Sequence, residues 1–192
     1  MGAEAIGYLL GQQCAPVIAG IKPSNLLIVE RGNHLGLQHA LRGTQLYGYL
    51  LYTSSEKDYW FLYDPNEFEG LLADAEKEQY LRKFGYNTDD MEAVLARLSV
   101  RFGNYKQKGS EFPHEMGVLF GYPLKDVKGF IENNGQNFKM SGYWKVYDDV
   151  SYAGRIFRLY ECVRKTALEL CNQGMGIPDI WKSFRMAGNL YS

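Results

Sequence analysis

The chain has 192 residues, 46% of them apolar and 22% charged, with a formal net charge of −1. That length can bury a core without disulfide or metal staples, and the balance excludes a disordered chain. The absence of a basic excess argues against sequence-independent nucleic-acid binding, so no nucleic-acid partner is expected.

Fifteen tyrosines raise the aromatic share to 15%, which favours half-buried strand faces and contact surfaces. The three cysteines, Cys14, Cys162 and Cys171, are odd in number and widely spaced, which speaks against a disulfide framework. The opening Met1-Gly-Ala-Glu lacks the basic region of a secretory leader, and Ile6 stands where an acylation signal needs Ser or Thr. With no run long enough to span a bilayer, no membrane partner is expected and the cytosol is the simplest compartment.

In chain order, Ala3 to Leu10 reads as a short helix, interrupted at Cys14-Ala-Pro16 and followed by one turn over Val17 to Ile21. Lys22-Pro-Ser-Asn25 reads as a surface turn, and Leu26 to Val29 as a buried strand. Leu35 to Leu41 gives a weak helix ending at Gly43. The aromatic runs Leu46–Thr53 and Asp58–Tyr63, around polar Ser54-Ser-Glu-Lys57, predict a β-hairpin. Asp64-Pro-Asn-Glu67 forms a capping box for a helix continuing to Gly85. A second helix opens at Asn87 or Thr88, and Arg101 to Ser110 reads as a mobile loop.

The stretch Phe112-Pro-His-Glu-Met-Gly-Val-Leu-Phe-Gly-Tyr-Pro123 places His114-Glu115 in an apolar run, and predicts a helix through Phe120 and another from Pro123 to Gly135. Gly142 to Tyr147 alternates as a strand, with Trp144 and Val146 on one face and Tyr143, Lys145 and Tyr147 on a partly exposed other. Asp148 or Asp149 caps a long helix, and Ile177 to Gly188 forms a last one. Helices and strands do not alternate, and neither Gly-rich phosphate loop occurs. The expectation is one domain over 1–192, of α+β class, with a small antiparallel sheet of three or four strands.

Cys14-Ala-Pro16, Lys22-Pro-Ser-Asn-Leu26, the 112–123 stretch, Asp126-Val127, Gly129-Phe-Ile131 and Gly142-Tyr-Trp-Lys-Val-Tyr147 together carry a resemblance. From about Cys14 to Cys162 the chain resembles a bacterial family of unknown function met in anaerobic Gram-positive bacteria. The resemblance implies a cytoplasmic bacterial protein and no established activity.

Three readings of function stand side by side. The leading one is a binding protein for a small molecule or a protein partner, with Glu115, Tyr122, Trp144, Lys145 and Tyr147 around His114 as the contact residues. The second is a Cys-His thiol enzyme, with Cys14 at a helix N-terminus as nucleophile, His114 as base and Gln12 or Gln13 near an oxyanion. Papain-like and bacteriocin-leader peptidases are similar in outline, down to a Gly-Tyr pair after the histidine. Their histidine opens a strand, however, whereas Pro113-His-Glu reads as a helix start. The third is an iron- or redox-related accessory protein. No metal ligands are assigned, because His114-Glu115 lacks a second histidine at position 118, and no cofactor is identified. Against each stands a plain alternative: Cys14 as a small buried hydrophobe, His114 as a satisfied polar group, Trp144 and Tyr147 as core, and Asp126 as a helix-dipole partner.

Overall fold

The structure, a computed structural model, describes residues 3–188. Met1 and Gly2, on which the leader and acylation readings turn, lie outside the described residues. The fold is α+β: a three-stranded antiparallel sheet with helices on both faces, and a separate two-stranded hairpin.

The sheet comprises β1 (Ser24–Glu30), β2 (Tyr47–Thr53) and β3 (Lys57–Tyr63), in the order β1-β3-β2. The expected hairpin is β2–β3, with Ser54 closing the loop by accepting from Lys57 N and donating to Lys57 O. Side chains alternate across the strands, so each face builds its own core. Leu27, Val29, Trp60 and Leu62 join one cluster, while Leu26, Phe61, Tyr59 and Tyr63 join another. A bulge between Leu50 and Tyr52 lets Leu51 and Tyr52 serve the same face.

On the first face lies α1 (Ala3–Ile18), with α2 (His34–Leu41), α8 (Val150–Asn172) and α9 (Ile177–Gly188) around it. The expected break at Cys14-Ala-Pro16 does not occur. Pro16 falls in the last turn of α1, where one lost backbone bond interrupts little, and the helix runs through it. Cys14 therefore lies well inside a helix, not at its N-terminus. Gln13 turns its amide onto the open edge of β1, donating to Ile28 O at 3.2 Å and accepting from Ile28 N at 3.0 Å.

On the second face lie α3 (Pro65–Leu72), α4 (Ala75–Arg82), α5 (Met91–Lys108) and the short α6 (Met116–Leu119). Asp64 caps α3 by accepting from Asn66 N and Glu67 N, but its own N–H donates to Pro23 O, so the Glu67 half of the expected capping box is not formed. The single helix expected to Gly85 is two, because Asp74 provides a second cap by accepting from Glu76 N and Lys77 N. The mobile loop expected over Arg101 to Ser110 is instead helix as far as Lys108. Phe102 anchors it in the core, and Gly109 ends it in the left-handed conformation. The helix expected from Pro113 shrinks to α6, since His114-Glu115 forms the turn that precedes it. Helix α7 (Leu124–Glu132) follows Pro123, and the hairpin β4 (Met140–Ser141) and β5 (Lys145–Val146) follows α7. The strand expected over Gly142 to Tyr147 is thus mostly turn, yet Trp144 and Val146 are buried as the alternation requires. Asp149 caps α8.

Among the described residues, no helix is long and apolar enough to cross a membrane.

Candidate functional site

The hairpin β4–β5 is too short to hold itself, and a buried carboxylate holds it. Asp126, in the first turn of α7, accepts from Trp144 Nε1 at 2.7 Å through Oδ2. Its Oδ1 accepts from the backbone N–H groups of Tyr147 at 2.7 Å and Asp148 at 2.9 Å. Three donors occupy both oxygens of a side chain only 3% exposed. Asp126 is thus a staple between helix and hairpin, a larger role than that of dipole partner.

Trp144 is fixed on two more sides. Tyr122 stacks on it, with ring centroids 5.1 Å apart, and Phe157 of α8 meets it edge-on at 4.5 Å. Tyr122 owes its place to the turn between α6 and α7. Gly121 has φ +79°, and a Cβ there would stand 2.7 Å from Pro23 Cδ.

A cavity of about 440 Å³ opens between α6, α7 and the hairpin. Trp144, Tyr122 and Phe120 line one part; Phe130, Phe112 and His114 line another. These last three are in ring contact, His114 standing 5.0 Å from Phe130 and 5.4 Å from Phe112. Lys145 of β5 completes the wall. Its ammonium donates to Gly135 O at 2.6 Å and lies 4.8 Å from the centre of Phe138 and 5.6 Å from that of Phe130. Burial pushes the Tyr122 hydroxyl up to about 12, so it stays protonated.

Four of the residues singled out from the sequence, His114, Tyr122, Trp144 and Lys145, meet on this cavity. Glu115 does not line it. Its carboxylate, 1% exposed, accepts from Tyr86 Oη at 3.0 Å and forms an ion pair with Arg101. That pair raises the Arg101 pKa, and burial followed by the Glu115 charge raises that of Tyr86. Tyr147 also stands off the cavity. It gives Asp126 its backbone N–H, and its side chain packs against Gly129.

Cys14 lies elsewhere. It is fully buried in the cluster on α1, 4.0 Å from Asn25 Nδ2, and burial pushes its thiol up to about 12. The physical setting the thiol-enzyme reading asks for, a helix N-terminus and a depressed pKa, is not found there. No hydrogen bond joins Cys14 to His114, and Gln13 is spent on β1. Lys22, read from the sequence as part of a surface turn, is buried beside Cys14. Its Nζ donates to Asn25 Oδ1 and lies 5.2 and 5.1 Å from the ring centres of Phe120 and Tyr122.

Phe112, Phe130 and Asp126 were not singled out as site residues. Phe130 looks like any apolar position on α7. The one usable signal was Asp126 itself, an acid eighteen residues before a tryptophan whose N–H needs a buried acceptor. Among the described residues, no group of three or more His, Cys, Asp or Glu side chains could hold a metal ion.

The chain belongs to the family described as a protein of unknown function, DUF3793, whose pattern matches residues 10–181. Comparison with the curated proteins and with the solved structures gives no match.

Proposed function

We propose that this protein binds a small molecule with a flat, largely apolar body in the cavity between α6, α7 and the β4–β5 hairpin. The observation that carries the reading is the convergence of five aromatic rings and His114 on one cavity of about 440 Å³. That volume lies within the range of small-molecule sites, about 300–1,000 Å³, and such sites are lined by aromatic side chains with few polar groups. The rings are held before any ligand arrives. Trp144 is fixed by Asp126, Tyr122 and Phe157, so little ordering cost falls on binding. The three free cysteines, with no disulfide among the described residues, support a reducing compartment such as the cytosol.

The test uses N-phenyl-1-naphthylamine, a neutral fluorophore of a naphthalene and a phenyl ring that brightens in apolar surroundings. Saturable binding is expected, together with quenching or energy transfer from tryptophan. Ser141→Trp, at an exposed position on the cavity wall, should plug the site and weaken binding at least tenfold while the far-UV circular dichroism stays unchanged. Absence of saturable binding, or binding indifferent to the Ser141 plug, overturns the reading.

A further inference from the structure

We propose that the ligand of this cavity carries an anionic group, a carboxylate or its like, on its flat apolar body, and that Lys145 receives it. The inference rests on the binding reading above and adds the chemical class of the ligand.

The cavity is bordered by one acid, Asp126, and one lysine, Lys145, and the two are in different states. Asp126 has both oxygens engaged by three N–H donors, which leaves its charge balanced by dipoles and poorly placed to take a further partner. Lys145 has no carboxylate partner among the ion pairs of the described residues. Its ammonium has three protons to donate, and Gly135 O takes one of them at 2.6 Å.

The rings of Phe130 and Phe138 attract its charge through their faces but accept no strong hydrogen bond. A half-buried ammonium held against two rings and a carbonyl lacks the counter-charge that such a group ordinarily finds. His114, across the ring of Phe130, adds a second polar side chain that can donate. The nearest acid to His114 is Glu111, whose Oε1 is 4.0 Å from Nε2, beyond hydrogen-bond distance, and whose side chain is 85% exposed. The Tyr122 and Ser141 hydroxyls also line the cavity as neutral donors, and Lys145 and His114 are the nitrogen donors there with no carboxylate within hydrogen-bond distance.

Gly135 explains why the lysine is held at this place. Its backbone has φ +69°, and its α-carbon faces Phe130 so closely that an added Cβ would lie 3.0 Å from the ring and 3.5 Å from Lys145 Nζ. The turn after α7 thus brings a bare carbonyl to the ammonium and fixes it beside the ring at the cavity wall. A flat ligand lying along Phe130 and Trp144 would set a substituent on its edge near that fixed charge.

Two probes with the same ring system separate the claims. N-Phenyl-1-naphthylamine is neutral, and 8-anilinonaphthalene-1-sulfonate is its anionic counterpart. The expected result is at least fivefold tighter binding of the sulfonate in low salt. Lys145→Met should abolish that preference, bringing the ratio of the two affinities to about one, and Lys145→Arg should retain it. Stronger competition by 1-naphthoate than by naphthalene, with the difference lost in Lys145→Met, would extend the result to carboxylates. If both probes bind alike and Lys145→Met changes neither, the anionic class is wrong while the binding reading stands. If neither probe saturates, the binding reading itself falls and the inference with it.

Discussion

Of the lysines that lie against aromatic ring faces, Lys22 and Lys145 have surroundings that could hardly differ more. Lys22 is 4% exposed, bonded to Asn25, and closed in beneath Phe120 and Tyr122. Lys145 is half-buried and borders the cavity that the same Phe120 and Tyr122 help to line. One aromatic wall therefore has a sealed lysine close by and another that borders an open hollow. Burial with a neutral partner pushes the Lys22 pKa down to about 7, against the pull of the ring faces. The comparison teaches that an ammonium over an aromatic ring is not by itself a site. What separates the two is access, and access here is set by the β4–β5 hairpin.

The comparison breaks most severely at Asp126. Asp126→Ala leaves Trp144 Nε1 and the N–H groups of Tyr147 and Asp148 without their acceptor. With each unsatisfied buried donor costing about 1–3 kcal/mol, the expected loss of stability is about 3 kcal/mol or more, measured by urea denaturation. The hairpin wall should loosen with it, so the neutral naphthylamine probe should lose most of its affinity. The Lys22 side of the wall is built from other elements, and Cys14 should remain protected from alkylation in the same variant. Alkylation of Cys14 at the wild-type rate of Cys162 would show that the two sides are not separate.

Much of this was legible in the sequence, and the failures share a cause. The aromatic hairpin, the Asp64 cap and the Asp149 cap are local signals, and each lies where local chemistry puts it. The convergence of His114, Tyr122, Trp144 and Lys145 was legible as a set of polar-tipped or charged residues in apolar runs. What misled was the assumption that such residues act where they stand. Glu115 reaches back to Arg101 and Tyr86, fourteen and twenty-nine residues away. Lys22 looked solvated because a Pro-Ser-Asn turn follows it, yet the turn tucks the side chain under α6. Cys14 looked like a helix start because Pro16 looked like a helix stop, and no local rule reveals that the sheet edge holds α1 straight through Gln13. Long-range partners decided all three.

The second prediction sharpens the comparison through pH. Lys22 titrates near 7 when folded and near its ordinary 10.5 when unfolded. Between those values the unfolded chain binds more protons, so stability rises with pH across that window, and below pH 7 the penalty is constant. From pH 7 to 9 the expected gain from this group is on the order of 1–2 kcal/mol. Above pH 9 Cys14 works in the opposite direction. Its thiol is held up to about 12 in the folded state against an ordinary 9.0, so the unfolded chain sheds the proton first and stability declines. Urea denaturation at pH 7, 8 and 9 should therefore show a rise that Lys22→Met flattens and Lys145→Met leaves in place. An unchanged rise in Lys22→Met would place the titrating group elsewhere.

The smallest effect, and the most discriminating, is expected at Gly135. Its φ of +69° is costly for a residue with a side chain, so Gly135→Ala should lose about 1 kcal/mol of stability. The new methyl would press on Phe130 at 3.0 Å and stand 3.5 Å from Lys145 Nζ. The contact with the ammonium is an ordinary one, so it is the ring that must yield, by a few tenths of an ångström. If the ammonium that rests over the ring shifts with it, the sulfonate loses its preference, which reproduces Lys145→Met with the lysine still present. If Phe130 shifts alone, both probes weaken together, because the ring is part of the surface both share. The ratio of the two affinities thus reads the position of one charge, and the pH dependence set by Lys22 should be the same in Gly135→Ala as in the wild type. A variant that lost the pH-dependent rise as well would mean that the sealed and the open side of the aromatic wall move as one body.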